Sequence, residues 1–177
     1  MLQTKETRSR GHKRWRRPSK KWLVTLAMLL VATTSLRLAQ GSRPNFSGRW
    51  ELDKTQSDFG SLPADDSAME VINHQEPRLT ITQTWKNADG EHTLVWQLST
   101  DGAENITQMN EIEIRSRTGW EDSKLVTDWK MKSGANLTEG KTIRSLSEGS
   151  NTQTVKIRQR SGGGDIEQHL VFVKKPL

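Results

Sequence analysis

The chain has 177 residues, with 27 Lys/Arg against 21 Asp/Glu and no cysteine. The lack of cysteine excludes a disulfide framework, a thiol nucleophile, a Cys-ligated zinc and a lipidated Cys anchor. The net charge of +6 is uneven, because residues 1–41 hold 10 of the basic residues and 1 of the acidic ones, leaving 17 basic against 20 acidic in 42–177. That near-neutral, sign-mixed remainder offers no basic footprint for phosphates, so nucleic acid is not an expected partner.

The first predicted element is a leader. Lys5 to Lys21 is a basic run containing Arg14, Arg16, Arg17 and Lys20, and Trp22 to Ala32 is an apolar run that fades through Thr33, Thr34 and Ser35 to Leu36. A positive n-region ahead of a short apolar h-region predicts a signal peptide over residues 1–41. Ala39 and Gly41 are small enough for cleavage after Gly41, although Arg37 is atypical of a c-region. The apolar run stops short of the ~20 residues of a spanning helix. Membrane contact is therefore expected only through this leader, if it is not cleaved. Pro18-Ser19-Lys20 after the Arg16-Arg17 pair favours ordinary secretion over twin-arginine export. Either route makes residues 42–177 one secreted or periplasmic domain, which rests on its hydrophobic core.

From Phe46 onward the pattern has period two, which predicts half-buried strands. Trp50 and Leu52 share a face of the first, and Asp58 to Asp66 is a turn-rich connection. Met69, Val71 and Ile72 mark a second strand ending near His74, and Glu76-Pro77 a tight turn. Leu79, Ile81 and Trp85 alternate with Thr80, Thr82 and Thr84, the clearest alternation in the chain. Asn87-Ala88-Asp89-Gly90 turns into Leu94, Trp96 and Leu98, and Asp101-Gly102 reads as another hairpin. Ile106 to Met109 and Ile112 with Ile114 are the next strands. Trp120 leads into the Glu121-Asp122-Ser123 turn. Leu125, Thr127, Trp129 and Met131 then line one face of a strand, opposite Asp128, Lys130 and Lys132. Ile143, Val155, Ile157, Leu170 and Phe172 mark three final strands, with Gly162-Gly163-Gly164 as the last turn. The expected fold is all-β: an antiparallel up-and-down β-barrel of about 8–10 strands. Closure removes exposed edges, and a barrel of this size can hold one small ligand.

Gly48-Arg49-Trp50 on the first strand resembles the G-x-W signature of the lipocalins and the wider calycin group. Thr127-Asp128-Trp129 is similar to that family's second motif, Thr-Asp-aromatic. The resemblance implies that Trp50 closes the barrel floor, with Gly48 allowing a close approach. It also implies that a late arginine packs over the indole: Arg158, with Arg160 and Arg144 as substitutes. The absence of a predicted C-terminal helix and a strand count nearer ten depart from the lipocalin pattern. Phe46-Ser47-Gly48-x-Trp50-x-Leu52 with Ser57-Asp58-Phe59-Gly60 also resembles a group of uncharacterised secreted bacterial proteins.

Five tryptophans follow the leader, Trp50, Trp85, Trp96, Trp120 and Trp129, and the chain has no tyrosine. An indole can bury 150–250 Å² as core filling, which is the reading for Trp50. Trp85, Trp96 and Trp129 fit either core filling or the wall of an apolar pocket. In the second case Leu79, Ile81, Leu94, Leu98 and Met131 line the same space, as candidate ligand-binding residues. His74, His92 and His169 lack metal-ligand spacing. His169 on the last strand is the candidate for a lone cofactor ligand, against the commoner exposed imidazole. No metal or cofactor is expected. Glu111 and Glu113 read as a solvated face, Ser147 and Ser161 lack a nucleophile-elbow context, and the glycine run lacks the setting of a phosphate loop. Asn45, Asn105 and Asn136 begin glycosylation sequons. The expectation is an exported, non-enzymatic β-barrel that binds a small, mainly apolar molecule in its interior. The alternative is a periplasmic or cell-surface interaction module with a filled core.

Overall fold

Ten antiparallel strands account for most of residues 43–176, the part of the chain that the computed structural model describes. The leader expected over residues 1–41 lies outside the described residues. The strands are β1 (Gly48–Leu52), β2 (Ser67–Gln75), β3 (Arg78–Asn87), β4 (Gly90–Ser99), β5 (Glu104–Met109), β6 (Ile112–Glu121), β7 (Lys124–Ser133), β8 (Asn136–Leu146), β9 (Thr152–Ser161) and β10 (Gly164–Lys175). They form one sheet in the order β4-β3-β2-β1-β10-β9-β8-β7-β6-β5. The sheet curls into a nearly closed barrel, and the described residues contain no helix.

Each hairpin is set by local turn chemistry. Glu76-Pro77 joins β2 to β3, Ala88-Asp89 joins β3 to β4, and Gly162-Gly163 joins β9 to β10. Asp101-Gly102 behaves differently from its hairpin signal. The Gly102 N–H bonds to the Thr118 carbonyl on β6, and β4 and β5 lie side by side without a ladder. The expected closure is therefore incomplete at this one seam.

A second gap is filled by loop rather than strand. β1 pairs β10 only from Phe172 to Lys175, which leaves the adjacent edge of β10 unpaired by β1. The β1–β2 connection takes over: Asp53 N–H bonds to the Val171 carbonyl, Asp58 exchanges both backbone bonds with His169, and Ser57 Oγ accepts from Val171 N–H. Phe59 packs against the core from this loop. Backbone groups that would otherwise be buried without partners are thus satisfied by an irregular segment.

One end of the barrel is filled. Phe46, Trp50, Ile72, Leu79, Leu125, Val155 and Phe172 are all within a few per cent of complete burial. Trp50 Nε1 donates to the Phe46 carbonyl at 2.9 Å. Lys174, directly opposite Trp50 in the β1–β10 register, places Nζ 5.2 Å from the ring centroid. The backbone at Gly48 has φ +147°, and a Cβ there would sit 2.7 Å from Lys174 Cε. Glycine therefore leaves room for the lysine stem to lie across the indole.

This corrects the expectation for Arg158. The phase of Val155 and Ile157 turns Arg158 outward, where its Nε lies 3.2 Å from Glu167 Oε2 in solvent. Arg160 is likewise outside, paired with Asp165, and Arg144 points inward but toward Glu70. The cation over Trp50 comes from β10 instead.

Two strands also present the opposite face to the one their apolar residues suggested. On β2 the inward positions are Ala68, Glu70, Ile72 and His74, while Val71 is 41% exposed. On β8 Arg144 is inward and Ile143 faces out, beside Lys156.

Candidate functional site

Above the filled floor, β2, β3, β4, β5, β6, β7, β8, β9 and β10 line a partly open cavity of about 220 Å³. Ile81, Leu94, Trp96, Leu98, Trp129 and Met131 line it, six of the eight residues expected there. Strict alternation places them: Ile81 faces Trp96 across β3–β4, and Trp129 and Met131 are two apart on β7. Leu79 and Trp85 do not line the cavity. Leu79 is buried within the floor. Trp85 lies toward the β3–β4 turn, stacked on His92 with ring centroids 5.4 Å apart.

Trp129 is seated on a glycine. Its indole lies over Gly140 on β8, where any Cβ would overlap the ring. Its Nε1 donates to Thr142 Oγ1 at 3.1 Å. Gly140→Ala is expected to push the ring from this seat and destabilise the fold by about 1–3 kcal/mol, as overpacking does. Denaturant unfolding followed by tryptophan emission reads both effects.

The cavity also has a polar side that the strand pattern concealed. Glu70, Gln83, Thr127, Thr142, Arg144, Gln159 and Gln168 reach it. Arg144 Nη1 donates to Glu70 Oε2 at 2.7 Å and Nη2 to Oε1 at 3.0 Å. Gln153 Nε2 donates to Oε2 at 2.8 Å. The bidentate geometry matches guanidinium to carboxylate. Glu70 and Gln153 are wholly buried, and Gln153 Oε1 is left without a partner. Following the inward phase of β2 back from Ile72 would have found Glu70, and an inward Arg144 is the complementary signal.

A second polar cluster sits in the floor. His74 Nδ1 accepts from Phe46 N–H, which leaves the Nε2 proton facing Glu76 Oε1 at 3.0 Å. Trp120 Nε1 donates to the same oxygen at 2.8 Å, and Thr100 Oγ1 to Glu76 Oε2 at 2.6 Å. Burial alone would raise the Glu76 carboxyl, but the hydrogen bonds from Thr100, His74 and Trp120 outweigh it and hold the group below its ordinary 4.5. A depressed folded-state value stabilises the fold fully above pH 4.5 and loses that contribution as pH falls through the lowered value. Thermal midpoints of the unaltered chain are therefore expected to fall more steeply with acid below pH 4.5 than those of Glu76→Gln. Parallel curves would show that Glu76 is not the group responsible.

His169 is exposed on the outer side of β10, its backbone bridged to Asp58. Thr127 of the Thr127-Asp128-Trp129 motif points inward, hydrogen-bonded to Thr118 at 2.9 Å, while Asp128 faces out toward Lys141. Among the described residues no three His, Asp or Glu side chains group as metal ligands. No helix there is long and apolar enough to cross a membrane.

No protein-family model matches the chain, and no curated protein matches it in sequence. Solved structures do. The barrel is similar to the zebrafish ileal bile acid-binding protein complexed with cholic acid, at 14% identity and TM-score 0.53, covering 73% of this chain and 98% of that one. It is also similar to secretory abundant heat soluble protein 4 from Ramazzottius varieornatus, at 10% identity and TM-score 0.52, over 77% and 98% of the two chains. Another secretory abundant heat soluble protein from that organism matches at 12% identity and TM-score 0.50, over 73% and 94%. At these identities the likeness is one of fold: this chain is a lipocalin-like β-barrel.

Proposed function

We propose that the chain is an exported, non-enzymatic barrel that binds one small, mainly apolar molecule in its interior. The observation that carries this reading is the cavity itself. Two indoles, two thioethers and aliphatic side chains line about 220 Å³ inside the barrel, an arrangement typical of pockets that work by burial. A bound cholic acid in a barrel of the same fold supports the reading. Residues 1–41 are proposed as the signal peptide and 42–177 as the mature secreted or periplasmic domain. The calycin group and the secreted bacterial proteins remain its proposed kin.

Trp96→Ala separates binding from folding. Trp96 lines the cavity and is only partly buried. Its removal is expected to weaken uptake of an apolar fluorescent probe by about tenfold or more, a loss of at least about 1.4 kcal/mol. The urea midpoint should move little by comparison. Equal probe affinity in the variant would rule the cavity out as the binding site.

A second reading, an interaction module, draws on the open seam. β4 and β5 are the two ends of the sheet, and Val95 and Ile106 on them are 42% and 50% exposed. Unpaired edges with apolar side chains are places where another strand can add.

A further inference from the structure

Among the described residues that line the cavity, Glu70 and Arg144 are the only charged ones. Each neutralises the other. The two short bonds between guanidinium and carboxylate engage both oxygens of Glu70, and Gln153 adds a third donor to Oε2. The interior therefore presents no net charge to a guest. It is still rich in neutral hydrogen-bonding groups. A guanidinium carries five N–H donors, of which the pair with Glu70 uses two. The amides of Gln83, Gln159 and Gln168 face the same space.

We infer that the cavity selects uncharged amphiphiles, a short apolar body with an amide, carbonyl or hydroxyl head, and that Glu70 is the specificity-determining residue. By holding Arg144 in a neutral pair, Glu70 excludes carboxylates. This rests on the reading of the barrel as a binding protein. A carboxylate entering the cavity would give up its hydration without meeting a net positive charge, and it would approach the carboxylate of Glu70. An alkylammonium would give up its hydration without meeting a net negative charge. Either ion leaves water uncompensated, which is the costly case. A neutral head loses far less and can accept from the remaining N–H groups of Arg144 or pair with the glutamine amides. The side chain that would otherwise make this an anion site is present, and its charge is cancelled within the fold.

The test compares three probes of one chain length, octanamide, octanoate and octylammonium, titrated near neutral pH into the unaltered chain by calorimetry. Octanamide is expected to bind, and both ions to bind at least about tenfold more weakly. Glu70→Gln keeps the shape and removes the negative charge. It is expected to raise the affinity for octanoate relative to octanamide by about tenfold or more. Octanoate or octylammonium binding the unaltered chain as tightly as octanamide would overturn the inference while leaving the barrel a binding protein. So would a folded Glu70→Gln variant with an unchanged ratio of affinities. The three-probe ranking decides the matter even where that variant does not fold. Heat from none of the three probes would overturn the binding reading itself, and the selectivity with it.

Discussion

Trp50→Ala is expected to destabilise the domain by about 3–5 kcal/mol, the range for truncating a fully buried large aromatic. Three losses combine at this position. The ring is completely buried among Phe46, Ile72 and Phe172, and the structure around it can relax only partly because β1 is held in register on both sides. The Phe46 carbonyl loses the 2.9 Å bond from Nε1 and becomes a buried acceptor without a partner, a penalty in its own right. Lys174 loses the indole face beneath its ammonium. Urea unfolding of the two chains gives the number. A loss under about 1 kcal/mol, the size of an ordinary surface change, would mean that Trp50 does not close the barrel floor.

Arg144→Leu is expected to cost a similar amount, about 3–5 kcal/mol, for a different reason. The substitution strands a carboxylate whose side chain is 1% exposed, and an uncompensated buried charge is far more expensive than a missing pair. Replacing both partners, Arg144→Leu with Glu70→Leu, should therefore recover most of the loss, although one more side chain has been removed. Urea midpoints of the single and double variants test this sign reversal. The outer pairs behave differently. Arg160 and Asp165 are 78% and 64% exposed, and breaking such a pair typically costs less than about 1 kcal/mol. An equally small effect at Arg144 would place the Glu70 pair in water rather than in the barrel wall.

The fold was legible wherever a strand kept apolar residues on one phase. Leu79 and Ile81, Leu94 and Trp96 with Leu98, and Leu125 through Met131 are such runs. Six of the eight residues named from these patterns lie on the cavity wall. β2 and β8 misled because each carries an ion inside and an aliphatic residue outside. Glu70 and Arg144 are 74 residues apart in sequence, so neither position alone explains how the other is tolerated. Only the curl of the sheet brings them together. Arg158 was legible after all, since the phase of Val155 and Ile157 already turned it outward. Lys174 was hidden because a lysine near a chain end reads as solvated, and its task depends on facing Trp50 across β1 and β10. The open seam was not legible either. Asp101-Gly102 has the chemistry of a hairpin turn, but pairing of β4 with β5 depends on where the sheet ends meet, which no local turn determines.

The central claim is that the barrel holds a small molecule, and native mass spectrometry of the chain purified from its own host tests it most directly. The expected result is a stoichiometric low-mass adduct released on activation, uncharged in chemistry and small enough for a cavity of about 220 Å³. A bare protein mass would contradict the account if a panel of apolar probes also left tryptophan emission unchanged. The interior would then be space without an occupant, and the exposed β4 and β5 edges would become the functional surface.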